Sequence, residues 1–495
     1  RDRTNDAVRV DANELRVRVV GEGANLGFTQ QARIEYASRG GKINTDAIDN
    51  SAGVDTSDHE VNIKILLYDA ISHSELSGIS ERNELLAAMT DDVARLVLRD
   101  NYEQTQAISL TEARGESLLD EQARFIRTLE RAGKMDRALE GLPDDDAIAD
   151  RHGSQRGLTR PEIAILLAYS KISLYQELLA SDLPDDPLLI EDLLLYFPEL
   201  LRERFRAAIT RHRLRREIVA TYVTNSMINR LRPTFVMYAS EESGKPAADV
   251  ARAFTIIREA FDLRSLWSDI EALDNALPAH VQIDMLNSVG AVLERAVTWL
   301  LRSGYERLQM DAYVSEFRPR IQTLAQRLDA ILPQSLQNSL RQREAELTTQ
   351  RVPDALAHRL ARLDILSSAL DIVRIARQEG SVEETASIYF GLGARFGLDR
   401  LRAAGSSLAV ETPWEKAAVA AVVDDLFNYQ SVLASRVITE GNGARGGEAV
   451  DRWLQARGRV VERIDQLMND LKTAPAVDLA MLTVASRHLR ALAES

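Results

Sequence analysis

The chain has 495 residues, of which 45% are hydrophobic. No apolar run reaches the roughly 18 uncharged residues that span a membrane, so we expect a globular protein without a membrane partner. The formal net charge of -14 argues against a nucleic-acid partner, because an acidic surface repels the phosphate backbone. The absence of cysteine excludes disulfides, thiolate metal sites and thiol catalysis, and it favours a reducing, cytoplasmic compartment.

The first predicted element is a β-strand at residues 15–20, where apolar and charged side chains alternate. The glycines that follow it permit a turn with positive φ, and they are Gly21, Gly23 and Gly27. A glycine-rich turn after a strand is the place where open parallel sheets bind their ligands. The residues alone leave open a pyrophosphate-binding loop or an ordinary tight turn.

A helix and a second strand are predicted next. Thr29 is suited to cap a helix that ends at Gly40, a residue type favoured just past a helix end. Residues 42–48 indicate a second strand, and a turn at residues 50–55 leads to a second helix that begins near Ser57. This order is one strand-helix-strand unit. Such a unit cannot cover both faces of a parallel sheet, so we expect further strands upstream of Arg1.

The rest of the chain has the periodicity of helices. Capping boxes, in which a Ser or Thr and a Glu three residues later satisfy each other's backbone donors, mark helix starts at Thr159/Glu162, Ser381/Glu384 and Thr412/Glu415. The predicted fold class is therefore α/β followed by all-α. We place the boundary between residues 1–110 and an all-helical domain at 111–495.

The two predicted turns resemble those of glutamate dehydrogenases. The matching residues are Glu22, Gly23, Ala24 and Asn25 in the first turn, and Asn50, Ser51, Ala52, Gly53, Val54 and Ser57 in the second. Residues 44–49 and 58–60 around them are more similar still to the large bacterial NAD-specific enzymes, as are residues 158–163, 168–171 and 212–221. The resemblance implies that residues 1–110 are the C-terminal part of a Rossmann-like dinucleotide-binding domain.

The resemblance also implies roles for the turn residues. Gly23, Ala24 and Asn25 are expected to bind the nicotinamide ribose of NAD, and Asn50 its carboxamide. An asparagine amide both donates and accepts hydrogen bonds, which suits these groups. The alternative is that Asn50 only satisfies its own local backbone. Ala52 departs from the glycine usual in the family, and its Cβ limits the approach of a ligand to the backbone.

Ser57 has two readings that can both hold. With Glu60 it forms a capping box at the predicted start of the second helix. By resemblance, the same hydroxyl contacts the side-chain carboxylate of L-glutamate or 2-oxoglutarate, since the positive end of a helix favours an anion.

The expected function is NAD-dependent oxidative deamination of L-glutamate to 2-oxoglutarate and ammonium. The catalytic lysine and aspartate of the family are expected upstream of Arg1, so the chain has no catalytic residue of its own and is expected to be inactive alone. The alternatives are a helical scaffold or regulatory module, and a dehydrogenase for another amino acid. We also expect a homo-oligomer, either a tetramer or a hexamer.

No metal site is predicted. The acids around the two turns match no calcium-binding loop, and the turn and cap positions explain most of them. The seven histidines are scattered without a pair at helical ligand spacing.

Overall fold

The computed structural model describes residues 3, 4, 6–304, 308–408, 410, 412–441, 444, 446–474 and 476–494. Within these ranges the chain forms α-helices and short 3-10 helices, and it contains no β-strand. The predicted α/β fold class with a Rossmann-like sheet is therefore wrong, because the described residues are all-α. None of the helices in these ranges combines the length and apolar character needed to cross a membrane.

The two predicted strands are reduced to a single contact. Val19 and Lys42 form an isolated parallel bridge, in which the Val20 N–H donates to the Lys42 carbonyl at 2.9 Å and the Lys42 N–H to the Arg18 carbonyl at 3.0 Å. The side chains of Val17 and Val19 are 56% and 69% exposed. A parallel pair of strands is stable when both of its faces are covered. Because these valines are exposed, the pairing stays a single bridge among the described residues. Residues at the end of the second predicted strand form the short helix Asp46–Asp49 instead.

The chain divides into two compact units, Arg1–Ile256 with Val297–Asp311, and Ile257–Ala296 with Ala312–Ser495. The helices that lie wholly in the first unit are α1 (Gln30–Ser38), α2 (Asp46–Asp49), α3 (Ser51–Ser72), α4 (Ile79–Ala88), α5 (Thr90–Arg114), α6 (Leu119–Arg131), α7 (Asp145–Gly153), α8 (Arg160–Leu179), α9 (Ile190–Tyr196), α10 (Glu199–Arg202), α11 (Arg206–Thr210), α12 (Arg215–Ile228) and α13 (Phe235–Ser243). Its 3-10 helices are Asp6–Val8, Ala12–Glu14, Gly115–Leu118, Leu183–Asp185 and Pro187–Leu189.

Three helices contribute residues to both units, namely α14 (Ala247–Ala260), α16 (Ala279–Arg302) and α17 (Met310–Ile331). The helices of the second unit are α15 (Leu263–Glu271), α18 (Gln334–Thr349), α19 (Asp354–Leu366), α20 (Ala369–Glu379), α21 (Val382–Phe396), α22 (Leu398–Ser406), α23 (Pro413–Glu440), α24 (Gly446–Gln455), α25 (Gly458–Thr473) and α26 (Leu479–Glu494). In this unit α21 packs against α20, α23 and α24, and it buries Tyr389 and Phe396. The domain boundary between residues 110 and 111 stays a prediction.

Local signals for helix ends are confirmed at several positions. Thr29 caps α1, since its hydroxyl accepts from the Ala32 N–H at 3.2 Å. Past the other end of α1, Gly40 has φ of +90°, a conformation that glycine adopts at little cost. Its N–H donates to the Ala37 carbonyl and the Gly41 N–H to that of Tyr36, which together satisfy carbonyls left open by the helix.

The predicted capping boxes are also tested by the structure. The boxes at Thr159 and Thr412 are complete. At Ser381 the hydroxyl accepts from the Glu384 N–H at 3.1 Å, which is one half of the predicted box.

Candidate functional site

The first turn, residues 21–28, is closed by a buried ion pair. Glu22 is only 4% exposed. Arg33 of α1 donates to its carboxylate from Nε at 2.6 Å and from Nη2 at 2.9 Å. The same carboxylate accepts from the Phe28 N–H at 3.1 Å. Two nitrogens of one guanidinium on one carboxylate fix direction as well as distance, so this pair holds the turn against α1.

Helix α2, which directly precedes Asn50, holds the first turn through its two acids. Asp49 accepts from the Glu22 N–H at 2.9 Å, and Asp46 accepts from the Leu26 N–H at 2.8 Å. Asp46 also lies 3.1 Å from Arg33 Nη2. Burial opposes the charge of Asp46, but the Leu26 N–H and the Arg33 guanidinium outweigh it and hold the pKa of Asp46 below its ordinary value. The two acids of α2 therefore fix the first turn next to Asn50.

This bracing brings the two predicted asparagines together. Asn50 Nδ2 donates to Asn25 Oδ1 at 2.7 Å, and the pair is exposed to solvent. Gly23 and Ala24 are exposed beside Asn25, and a Cβ placed at Gly23 would meet nothing within 4 Å. At Gly53, in contrast, a Cβ would come within 2.9 Å of Asn50 Oδ1. The small residue at position 53 therefore leaves room for the Asn50 amide.

The helix that carries Ser57 begins at Ser51, so the turn predicted at residues 50–55 is wrong beyond Asn50. Asn50 is the N-cap of α3, and Ser57 lies inside that helix, where its hydroxyl donates to the Val54 carbonyl at 2.6 Å. The predicted capping box at Ser57 is therefore wrong. Ser51 and its neighbours already adopt helical geometry after the Asn50 cap, so the backbone N–H groups near Ser57 need no cap. The substrate role of Ser57 stays a prediction.

Asn50, Val54 and Ser57 share one side of α3. Spacings of four and three residues place side chains above one another on a helix, here over about 10 Å. Ser57 is exposed and Val54 is 66% exposed. With Asn25 beside Asn50, this side presents two amides, a hydroxyl and an apolar side chain to solvent. These groups can orient a ligand, but none of them is a strong acid, base or nucleophile.

Helix α5 holds the end of α2 and the start of α3. Asn101 Nδ2 donates to Ser51 Oγ at 2.9 Å and to the Ile48 carbonyl at 2.8 Å. Ser51 occupies a position at which the resembling family usually has alanine, and the structure gives this hydroxyl a partner.

Arg160 at the start of α8 joins the turns to the helices. Its Nε donates to Asn44 Oδ1 at 3.0 Å, and its Nη1 donates to Ser109 Oγ at 3.0 Å and to Glu112 Oε2 at 2.9 Å. The segment 158–163, which the sequence marked by a capping box and by resemblance, therefore contacts Asn44 next to the candidate site.

A buried polar cluster between α3 and α5 was missed by the sequence analysis. It comprises Asp55, His59 and Asp100, whose ligand atoms all lie within 4.8 Å of one another. Burial raises the pKa of both aspartates, and the negative charges of neighbouring acids add to the shift. Burial lowers the pKa of His59 to about 4 and that of nearby Lys171 to about 8. The four-residue spacing of Asp55 and His59 was a local signal for this cluster, but nothing in the sequence pointed to Asp100.

Comparison with known proteins gives matches along the chain. A family model described as glutamate dehydrogenase, C-terminal, matches residues 155–491, and one described as bacterial NAD-glutamate dehydrogenase, catalytic domain, matches residues 1–111. Similar curated proteins are the NAD-specific glutamate dehydrogenases of Halomonas elongata and Pseudomonas aeruginosa, each 40% identical over 496 residues, and that of Mycobacterium tuberculosis, 36% identical over 491 residues. These matches cover 100%, 100% and 99% of this chain but 31%, 31% and 30% of the relatives. The chain thus spans less than a third of their length.

Proposed function

The chain belongs to the glutamate dehydrogenase family, and we propose that it forms part of an enzyme that oxidatively deaminates L-glutamate to 2-oxoglutarate and ammonium with NAD. The observation that carries this proposal is the hydrogen bond between Asn50 and Asn25, at 2.7 Å. These two asparagines were selected from separate turns, and their contact supports a common ligand.

The geometry of the turns fits a nicotinamide nucleoside. The region around Gly23 is open and could admit the ribose, and each asparagine amide keeps donor and acceptor capacity beyond their mutual bond. When bound, NAD supplies the acceptor of the hydride from the glutamate α-carbon. In this proposal Asn25 and Asn50 fix the position of the nicotinamide half, and Ser57 binds the distal carboxylate of the substrate.

The proposal extends to the organisation of the chain. In this proposal, residues 1–110 are the C-terminal part of the dinucleotide-binding domain, and residues 111–495 are a helical C-terminal domain. The chain contributes binding groups and no catalytic acid or base, so it is inactive by itself. We also propose that the enzyme is a cytoplasmic homo-oligomer, either a tetramer or a hexamer. Light scattering on the purified full-length protein tests the oligomeric state.

The direct test removes the two amides in the full-length protein, singly and together. Asn25→Ala and Asn50→Ala should each raise KM for NAD or lower kcat by roughly tenfold for every 1.4 kcal/mol of binding or orientation lost. The double variant should lose less than the product of the single effects, because the two side chains bond to each other.

Asn83→Ala is the matched control, since Asn83 is an exposed asparagine on α4. Folded variants at positions 25 and 50 with the kinetics of this control would contradict the cofactor role and favour the helical scaffold. A preference for leucine over glutamate in the same assay would favour a dehydrogenase for another amino acid.

A further inference from the structure

The cluster of Asp55, His59 and Asp100 contains polar atoms that the folded chain leaves without partners. His59 is 1% exposed, and neither of its ring nitrogens has a hydrogen-bond partner among the described residues. Asp55 Oδ2 is buried and without a partner as well. Buried polar groups are nearly always hydrogen-bonded or ligated, so three such atoms at one place mark a site that can take a ligand.

The position of these atoms narrows the kind of ligand. His59 Nε2 lies 3.9 Å from Asp55 Oδ1, and the four-residue spacing sets both side chains on one face of α3, opposite Asp100 of α5. The His59 ring stacks on Tyr196 with centroids 4.4 Å apart, which limits how the imidazole can turn. A buried imidazole that stays neutral has one nitrogen lone pair, and Asp55 and Asp100 place carboxyl oxygens beside it.

We propose that Asp55, His59 and Asp100 bind a divalent transition-metal cation of the zinc class. One imidazole nitrogen with two carboxylate oxygens is a ligand set that zinc accepts, whereas calcium and magnesium prefer oxygen ligands alone. Around zinc, ligand atoms stand roughly 3.4 Å apart for bonds of about 2.1 Å. The present spread of 4.8 Å requires the side chains to close on the cation by a rotamer adjustment.

The cation would join the N-terminal part of α3 to α5. Asp100 adjoins Asn101, whose amide donates to Ser51 Oγ and to the Ile48 carbonyl. A cross-link at Asp100 therefore fixes the helix that supports the turn of Asn50. The bound metal has a structural role here, and this inference stands apart from the dehydrogenase proposal.

The test measures zinc in the full-length protein after removal of metal by chelator and dialysis against Zn²⁺. Elemental analysis should find about one more equivalent of zinc per chain in the wild type than in His59→Gln or Asp100→Asn. The midpoint of thermal unfolding should rise with Zn²⁺ in the wild type and much less in these variants, because the ligand stabilises the state that binds it. Glu60→Gln is the matched control, as Glu60 is an exposed acid on the same helix, and it should keep the zinc content of the wild type.

Equal zinc content in the wild type and in folded His59→Gln would overturn the proposal, as would a wild type that retains no zinc. If both variants fail to fold, X-ray absorption at the zinc edge of the wild type decides. Coordination by imidazole and oxygen supports the site, and coordination without imidazole rejects it.

Discussion

Thr56 and Ser57 are neighbours in α3 with nearly the same local bonding. The Thr56 hydroxyl donates to the Ala52 carbonyl at 2.7 Å and the Ser57 hydroxyl to that of Val54 at 2.6 Å, and both side chains are exposed. Their contributions to helix stability should therefore be similar and small. Only Ser57 lies in line with Asn50 on the helix face, so a ligand would distinguish the two hydroxyls.

We expect Ser57→Ala in the full-length protein to raise KM for glutamate by roughly tenfold or more. A hydrogen bond to a charged group is worth about 1.5–3 kcal/mol, and each 1.4 kcal/mol is a factor of ten. Thr56→Val removes the neighbouring hydroxyl and should leave KM unchanged. Steady-state kinetics with glutamate measures both. Equal effects of the two substitutions would mean that Ser57 does not bind the substrate.

At the scale of elements, charged side chains hold the first turn, α1 and α2 together. Arg33 of α1 bonds to Glu22 of the first turn and to Asp46 of α2. Side chains of Arg33 and Glu22 are almost fully buried, and loss of one partner from a buried pair costs more than the pair itself contributes. The relative position of the asparagines therefore depends on acids that contact no proposed ligand.

The ion pair of Arg33 with Asp46 predicts that the stability of the fold depends on pH. The pKa of Asp46 is lower in the folded protein than its ordinary 3.8, so ionised Asp46 stabilises the fold above that pH, and the contribution is lost as the pH falls through the lowered value. Asp46→Asn should lower the thermal midpoint at neutral pH, by about 1–2 °C per kcal/mol lost, and should approach the wild type in acid.

Melting curves of the wild type and Asp46→Asn from neutral to acidic pH test the expectation. Glu35→Gln serves as the control, because Glu35 forms an exposed surface pair with Arg39, and such pairs contribute little to stability. A difference between Asp46→Asn and the wild type that stays constant below pH 3.8 would contradict the role of the Asp46 charge.

At the scale of the whole molecule, the described part of the chain is helical, with one residue pair in β-bridge geometry. We expect the circular dichroism spectrum of the 495-residue chain to be that of α-helix. The bridge at Val19 and Lys42 is too short to contribute measurably. A clear β-sheet component in the spectrum would contradict the described fold and restore the strands predicted at residues 15–20 and 42–48.

The strand prediction failed for a physical reason. Alternation in residues 15–20 indicates which side chains could face a core, but Val17 and Val19 are exposed and no layer among the described residues covers them. A strand depends on neighbours that are distant in sequence, whereas a helix closes its hydrogen bonds within itself. For the same reason the cap at Thr29 and the boxes at Thr159 and Thr412 were predictable from a few adjacent residues.

The sequence by itself determined the family resemblance, the helix starts at Thr29, Thr159 and Thr412 and the polar first turn, because each depends on residues that are close in the chain. Only the tertiary structure decided which groups meet. It placed Asn50 beside Asn25, tied the first turn to α2 through Asp46 and Asp49, and set Asp100 opposite His59. Contacts of this kind depend on how distant segments pack, and no local pattern of side chains encodes the distance between them.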